Sequence, residues 1–344
     1  MQAATQPGPR VVIGIPTYNA AATLKETVDS LLRQTHQNLE VHISDNHSTD
    51  NTLAVLASIR DPRLHVHAHH VNVGAEGNFT RCIQMAAGDY TCIFHADDLY
   101  DPRIIEKQVS YLEANPQVEA VMAQASTIND ASAVTGHIDM IPPVPFGTVC
   151  EYPFVPLLKN LLRYRNRLVI SSLMVRSSVF QRHVRDWGDG RFKSASDVDM
   201  YLRLAQRAPI AVMGERLIQY RISERQFSQR IRDRVERPDF FLVTEAYIAQ
   251  HRQSLSADDL LHHGWLERHD RVARAMNAAT AGETAKARAL LKGSLSVDAL
   301  HAAVSSKQGL ATLAASLMLH VVSWLGFWKY AIKPIRWAKT RKWQ

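Results

Sequence analysis

The stretch VVIGIPTYNAAATLKETVDSLL, residues Val11–Leu32, changes its period part-way along. Val11–Ile15 is a short apolar run with one glycine, suited to a strand buried on both faces. Pro16–Asn19 interrupts it with turn-forming residues, and Leu24, Val28, Leu31 and Leu32 then recur at helical spacing. A buried strand followed at once by an amphipathic helix opens a βαβ unit.

The same alternation continues outward from that stretch. Strand-like runs stand at 39–44 (LEVHIS), 63–69 (RLHVHAH), 90–94 (YTCIF) and 118–125 (VEAVMAQA). Between them lie helix-compatible segments at 50–59 and 77–88 and one carrying Ile105, Val109 and Leu112. Strands alternating with helices imply right-handed crossovers and an α/β fold: a doubly wound, mostly parallel sheet with flanking helices. Such sheets bind ligands outside the carboxyl ends of their strands. The polar loops there are Pro16–Asn19, Ser44–Asp50, Val71–Asn78 and His95–Asp98. Any one of them reads as turn or cap chemistry; four on one sheet edge read as a site.

Asp97 and Asp98 follow the fourth apolar strand, where a carboxylate near a buried edge is costly without a cation. A hard divalent ion held by one or two carboxylates and by substrate phosphates answers that cost. The bland alternative is that Asp98 caps the next helix and Asp97 is solvated.

With 344 residues, 46% hydrophobic and 21% charged, the chain has material for one large domain with appendages. The net charge of +7 favours anionic partners, but no nucleic-acid reader motif is present, so no nucleic acid is expected. Cys82, Cys92 and Cys150 show no CxxC spacing, and residues 1–10 lack the charged-then-apolar pattern of a secretory leader. These features imply a reducing, cytoplasmic setting and a disordered N-terminus over 1–10.

The runs IPTYNAAATLKETVDSLLRQTHQNLEVHISDNHSTDNT (15–52) and NVGAEGNFTRCIQMAAGDYTCIFHADDLYDP (72–102) resemble the nucleotide-binding half of the family 2 inverting glycosyltransferases. The resemblance covers 11–125, returns at 165–222, and implies the GT-A fold. It implies a donor pocket lined by Pro16, Thr17, Tyr18 and Asn19, with Asp45 reading the base. Asn72, Gly74 and Asn78 of the third loop join that pocket. His95 occupies the first position of the D-x-D motif, where the family has Asp; a neutral imidazole there can bind a ribose hydroxyl or a softer divalent ion such as Mn2+. Asp97 holds the last position and is the implied metal ligand, for Mn2+ or Mg2+, with Asp98 beside it in the donor site. In SASDVDMYLRLAQRAP (194–209) Asp197 matches the catalytic base, Asp199 the acidic position two further on, and Ser196 replaces the usual Glu. Arg221 in LIQYRISERQFS (217–228) is the implied phosphate contact, with Ser223 where the family often has His.

The expected activity is metal-dependent, inverting transfer from a nucleotide-diphospho-sugar, UDP or dTDP, to a glycan or lipid-linked glycan of the cell surface. One base and one Lewis acid suffice for that chemistry. The competing reading is a catalytically inactive nucleotide- or glycan-binding scaffold, kept open by His95 and Ser196. A nucleotidyltransferase is disfavoured, because no Gly-rich basic phosphate loop follows the first strand.

Residues 126–235 make the acceptor-side half, in which the Pro-rich run at 137–156 reads as an irregular lid. A helical extension follows at 236–304. Within 305–344, residues 309–328 carry no formal charge and are long enough to span a bilayer. Thr312, Ser316, His320 and Ser323 recur there at helical spacing, and a basic, aromatic tail follows. This predicts a helix lying in the interface or packed on protein, with peripheral attachment to the inner membrane face. His65, His67 and His69 share one strand face; with no carboxylate or Cys partner in the neighbouring sequence, a solvated face is expected.

Overall fold

The computed structural model describes residues 8–188, 190–223, 233–328 and 330. The chain divides into two compact units, Met1–Leu161 with Asn166–Ser223, and Leu162–Arg165 with Glu224–Gln344.

The first unit is built on ten strands: β1 (Val11–Thr17), β2 (Leu39–Asp45), β3 (Leu64–Ala68), β4 (Tyr90–Ile93), β5 (Leu99–Tyr100), β6 (Ala120–Ile128), β7 (Val134–Ile138), β8 (Val149–Tyr152), β9 (Leu173–Arg176) and β10 (Ile210–Arg221). Their order is β3-β2-β1-β4-β9-β6-β10-β5, with β7 on β6 and β8 on β10. β1, β2, β3, β4, β6 and β10 run one way; β5, β7, β8 and β9 run the other. The flanking helices are α1 (Leu24–Leu32), α2 (Thr52–Ala57), α3 (Gly74–Gln84), α4 (Ile104–Ala114), α5 (Phe154–Tyr164), α6 (Ser177–Arg182) and α7 (Ser196–Ala205). Val11, Ile13, Ile15, Val41, Ile43 and Cys92 are buried in the core, as the continuous apolar runs required. A Cβ on Gly14 would meet Cys82 Cβ at 2.9 Å, so glycine there lets α3 lie close on β1.

Three expectations change here. The boundary drawn at 125/126 falls inside β6, whose pairing with β9, β7 and β10 makes both halves one sheet. Residues 137–156 are less irregular than the proline content suggests: β7 and β8 enter them, Met140 and Val144 are buried, and Gln124 Nε2 donates to Val144 O at 3.3 Å. Residues 1–7 lie outside the described residues, whereas Gly8–Arg10 are tied down, Asn38 Nδ2 donating to Gly8 O and Arg10 N to Asp89 Oδ2.

The second unit is helical: α8 (Asp239–His251), α9 (Ala257–Thr280), α10 (Thr284–Leu291), α11 (Val297–Ser305) and α12 (Lys307–Leu325). Ser256 and Asp259 form a capping box that starts α9. Ser296 and Ser306 accept N3 amide hydrogens at the starts of α11 and α12. Small residues, Ala275, Ala278, Ala279 and Ala287, fill much of its core.

The polar stripe of α12 faces inward. Ser316 is fully buried with its hydroxyl 2.6 Å from that of Ser294, and Thr312 Oγ1 is 2.7 Å from His269 Nδ1. Arg288 Nε donates to Ser323 Oγ at 3.1 Å. The outward side carries Leu310, Leu317, Val321 and Trp324, the last 85% exposed. The helix has a mean hydropathy of 1.4 with only 17% of its apolar window buried. The basic tail from Ala331 lies outside the described residues.

Candidate active site

The carboxyl ends of β1 and β2 are cross-braced by the residues that the sequence placed there. Asn19 adopts a left-handed conformation (φ 50°), which Asn tolerates. Its Oδ1 accepts from Thr49 N at 2.8 Å, and its own N–H donates to Ser48 Oγ at 2.9 Å. Asp45 is fully buried; its carboxylate accepts from Ser48 N at 3.0 Å and Ser48 Oγ at 2.5 Å. Thr17 is buried, bonding to Ile15 O, while Pro16 is partly covered and the Tyr18 ring is half exposed beside them. The half-exposed Tyr18 offers a face for stacking, whereas Asp45, with no exposed surface and both oxygens engaged by Ser48, meets a ligand N–H only where Ser48 turns aside.

The third loop is occupied differently from the expectation. Asn78 is buried and saturated by the strands: Nδ2 donates to Ser44 O at 2.9 Å and Thr17 O at 3.3 Å, and Oδ1 accepts from Ser44 Oγ at 2.7 Å. Asn72 Oδ1 accepts from Gly74 N at 2.8 Å and Asn46 Nδ2 at 2.9 Å, and Gly74 takes φ 78° to start α3. Asn78 is therefore corrected from a donor contact to a brace of the sheet edge, its polar atoms being used internally.

After β4 the chain brings His95, Asp97 and Asp98 together, with one ligand atom of each within 4.8 Å of the others. His95 N–H donates to Tyr100 Oη at 2.8 Å, and its ring meets Phe79 edge-on. His95 Nε2 is buried without a hydrogen-bond partner among the described residues. Desolvation lowers its pKa and so favours the neutral ring, opposed by the Asp97 charge. An orphaned neutral imidazole nitrogen beside a carboxylate fits a divalent cation, and the nitrogen ligand suits Mn2+ better than Mg2+. Asp98 is fully buried and already used: Oδ2 accepts from Ser171 Oγ at 2.5 Å and Oδ1 from Arg221 N at 2.8 Å. Desolvation, then the Asp97 charge, pushes its carboxyl up to about 8.

Asp197 opens α7 with its side chain partly covered. Asn166 Nδ2 donates to its Oδ2 at 2.8 Å, and Val198 N to its Oδ1 at 2.9 Å. Desolvation outweighs these bonds and pushes the carboxyl up to about 6. A base tuned toward neutrality is suited to accepting a hydroxyl proton. Asp199 pairs with Arg203 at 2.8 Å along the same helix. Ser196 Oγ donates to Glu76 of α3, which sets a carboxylate beside the serine that stands in place of the expected Glu.

Arg221 is the largest correction. Only 2% exposed, it spends all its guanidinium donors inside the protein. Nε donates to Asp97 O at 2.8 Å, Nη1 to Asn129 O at 2.8 Å and Asp130 O at 3.3 Å, and Nη2 to Glu26 Oε2 at 2.9 Å and Ser132 Oγ at 3.1 Å. No donor remains for a phosphate, so the phosphate contact gives way to a brace beneath Asp97. The following residues 224–228 of the expected closing segment lie outside the described residues.

Sequence reasoning missed Asn166, Ser171, Glu76 and Glu26. Each acts on a partner at least 31 residues away, a separation no local pattern reports.

Comparison with known proteins decides the family. The model of "Glycosyl transferase family 2" matches residues 12–183. The chain belongs to glycosyl transferase family 2. Among this family 2 chain's curated relatives are an uncharacterized glycosyltransferase of Haemophilus influenzae, 25% identical over 64% of this chain and 68% of that one, and the putative glycosyltransferase EpsE of Bacillus subtilis, 28% identical over 57% and 66%. Another is WfaP of Escherichia coli, a UDP-Glc:α-D-GlcNAc-diphosphoundecaprenol β-1,3-glucosyltransferase, 30% identical over 41% of this chain and 56% of that one. The chain thus spans between about half and two thirds of the length of these relatives. The S. aureus TarS 1–349 crystal structure shares the fold, with a TM-score of 0.58 at 16% identity over 92% of each chain.

Proposed function

We propose that this family 2 chain is a divalent-metal-dependent, inverting glycosyltransferase that moves a sugar from UDP or dTDP to a glycan or lipid-linked glycan. The observation that carries the reading is the segment Asn166–Ser171. Asn166 holds the base Asp197 and Ser171 holds Asp98, so base and cation site are fastened to one piece of chain that spans at most about 18 Å.

In this reading Tyr18 stacks on the base and Asp45 accepts its imide N–H. His95 Nε2 and Asp97 hold Mn2+ or Mg2+, which when bound neutralises the departing diphosphate. Asp197 takes the acceptor hydroxyl's proton. Its raised carboxyl is still mainly ionised at pH 7 yet basic enough to accept, and Asn166 fixes its orientation. Asn72 and Gly74 shape the loop that borders the donor pocket.

The outward apolar side of α12 and the basic tail support peripheral attachment to the inner, cytoplasmic membrane face, where a lipid-linked acceptor of the kind named for WfaP would be met. Calorimetric titration with UDP, dTDP and GDP, with and without Mn2+, tests the donor site. One nucleotide should bind in a metal-dependent way, and Asp97→Ala should abolish that binding. Asp197→Asn should keep nucleotide binding and lose transfer. Nucleotide binding without sugar release or transfer by the unaltered chain would favour the inactive scaffold.

A further inference from the structure

Outside the donor site, the edge of the sheet assembles a second set of metal-ligating side chains. β3 is an edge strand and pairs with β2 in parallel, in a register that sets His42 opposite His65. Glu40 lies two residues before His42 and therefore on the same face. The sequence showed the histidines of β3 but not this carboxylate, because the register that joins them is a property of the sheet.

We propose that Glu40, His42 and His65 form a binding site for a transition-metal dication of the Zn2+ class. His42 Nε2 lies 3.1 Å and His65 Nε2 4.0 Å from Glu40 Oε2, and one ligand atom from each residue lies within 4.8 Å of the others. A tetrahedral Zn2+ with bonds of about 2.0–2.1 Å sets its ligands about 3.3 Å apart. The His42–Glu40 pair already has that spacing. The His65 ring, 42% exposed, stands 4.0 Å from Glu40 Oε2 and within 4.8 Å of the His42 ligand atom, so it needs to close by at most about 1.5 Å to reach tetrahedral spacing, a movement open to an exposed side chain.

The surrounding groups also suit a metal. With Nε2 on the ion, His42 Nδ1–H donates to His67 Nε2, 3.0 Å away, which fixes the tautomer. Arg10 holds Glu40 in place, Nη2 donating to Oε1 at 2.9 Å and Oε2 at 2.8 Å and Nε to Oε1 at 3.2 Å. Two imidazoles and a carboxylate select Zn2+, Co2+ or Ni2+ over Mg2+ and Ca2+, a preference opposite to that of a carboxylate–diphosphate site. Three protein ligands leave the fourth position to water. The bound ion clips edge strand β3 to β2 just before the loop that carries Asn72 and Gly74.

The test uses the full chain without a histidine tag, in an Asp97→Ala background that disables the donor-site cation. Titration with Co2+ should give the visible absorption of tetrahedral cobalt at one equivalent, displaced by Zn2+. His65→Ala in that background should weaken binding at least 100-fold, and His67→Ala by about 10–100-fold. Both side chains lie toward the surface, and circular dichroism should show an unchanged fold. Zn2+ should raise the melting temperature of the Asp97→Ala chain but not that of its His65→Ala derivative. Absence of the cobalt band from the Asp97→Ala chain, or a band that His65→Ala leaves unaltered, overturns the proposal.

Discussion

Replacing Arg221 with Met separates a brace from a phosphate contact. The substitution keeps the length and apolar stem of a side chain that is 2% exposed, so little cavity forms. It removes five hydrogen bonds: three to backbone carbonyls, one to a hydroxyl and one to Glu26. Charge-assisted bonds contribute about 1.5–3 kcal/mol each, but the carbonyls of Asn129 and Asp130 belong to exposed residues and regain water. Asp97 O is the loss that counts, since Ser132 Oγ keeps its bonds to Glu26 and the exposed Glu26 regains water as well. The expected destabilisation is about 3 kcal/mol, toward the lower end for a broken buried pair. At about 2–4 °C per kcal/mol for a unit of this size, the first unit should melt about 6–12 °C lower. Differential scanning calorimetry of the nucleotide-free protein measures this directly. An unchanged melting temperature with only a weakened nucleotide affinity would refute the brace and restore the phosphate contact.

The Asp197 carboxyl, raised to about 6, predicts that kcat/KM climbs through about pH 6 and levels off above it, since the base acts deprotonated; a flat profile from pH 5 to 8 would contradict the assignment. Because the folded state holds that proton more tightly than the unfolded chain, Asp197 lowers stability as pH rises through the window between the ordinary carboxyl range and 6. Asp197→Asn should therefore abolish transfer while raising stability at pH 8 by roughly 2–3 kcal/mol, read by urea unfolding. His95→Asp should move metal preference from Mn2+ toward Mg2+, measured as the ratio of the two affinities in the presence of UDP; an unchanged ratio would place His95 outside the cation site. Leu317→Glu with Val321→Glu should cut co-sedimentation with anionic vesicles at least tenfold and leave the circular dichroism spectrum unchanged; full retention would exclude α12 as the contact.

The first half of the sheet was legible because its strands carry short local patterns: Val11–Ile15 and Tyr90–Phe94 are continuous apolar runs, as strands buried on both faces require, and Leu39–Ser44 alternates apolar with polar. β5, β7, β8 and β9 were not, being two to five residues long and set among helices and turns that give no clear period. The site divides in the same way. Asp45, His95, Asp97 and Asp197 stand at strand ends or a helix start, which local pattern marks. Whether Asn78 or Arg221 faces a ligand or the protein depends on partners such as Ser44 and Glu26, 34 and 195 residues away, which no spacing rule supplies. In α12 the period revealed a polar stripe, but only packing shows that Ser316 meets Ser294 and the apolar side is left outside.

The adjacency of Asp97 and Asp98 has a physical reading that neither residue gives alone. Two ionised carboxylates side by side would repel strongly, and burial already opposes the charge of Asp98. The fold divides the work between them. Asp98 goes inward, where Ser171 and the Arg221 N–H occupy both its oxygens and its carboxyl is pushed up to about 8. Asp97 stays partly exposed beside the unpartnered His95 nitrogen, with its own carbonyl gripped by Arg221 Nε. One carboxyl thus helps to build the turn that presents the other, and Arg221 fastens both through separate atoms. On this argument the second aspartate is needed for geometry rather than for metal affinity. A residue that kept the bonds to Ser171 and Arg221 without a charge, such as Asn, would preserve the turn at position 98, whereas the same change at position 97 would take the charge from the proposed metal ligand.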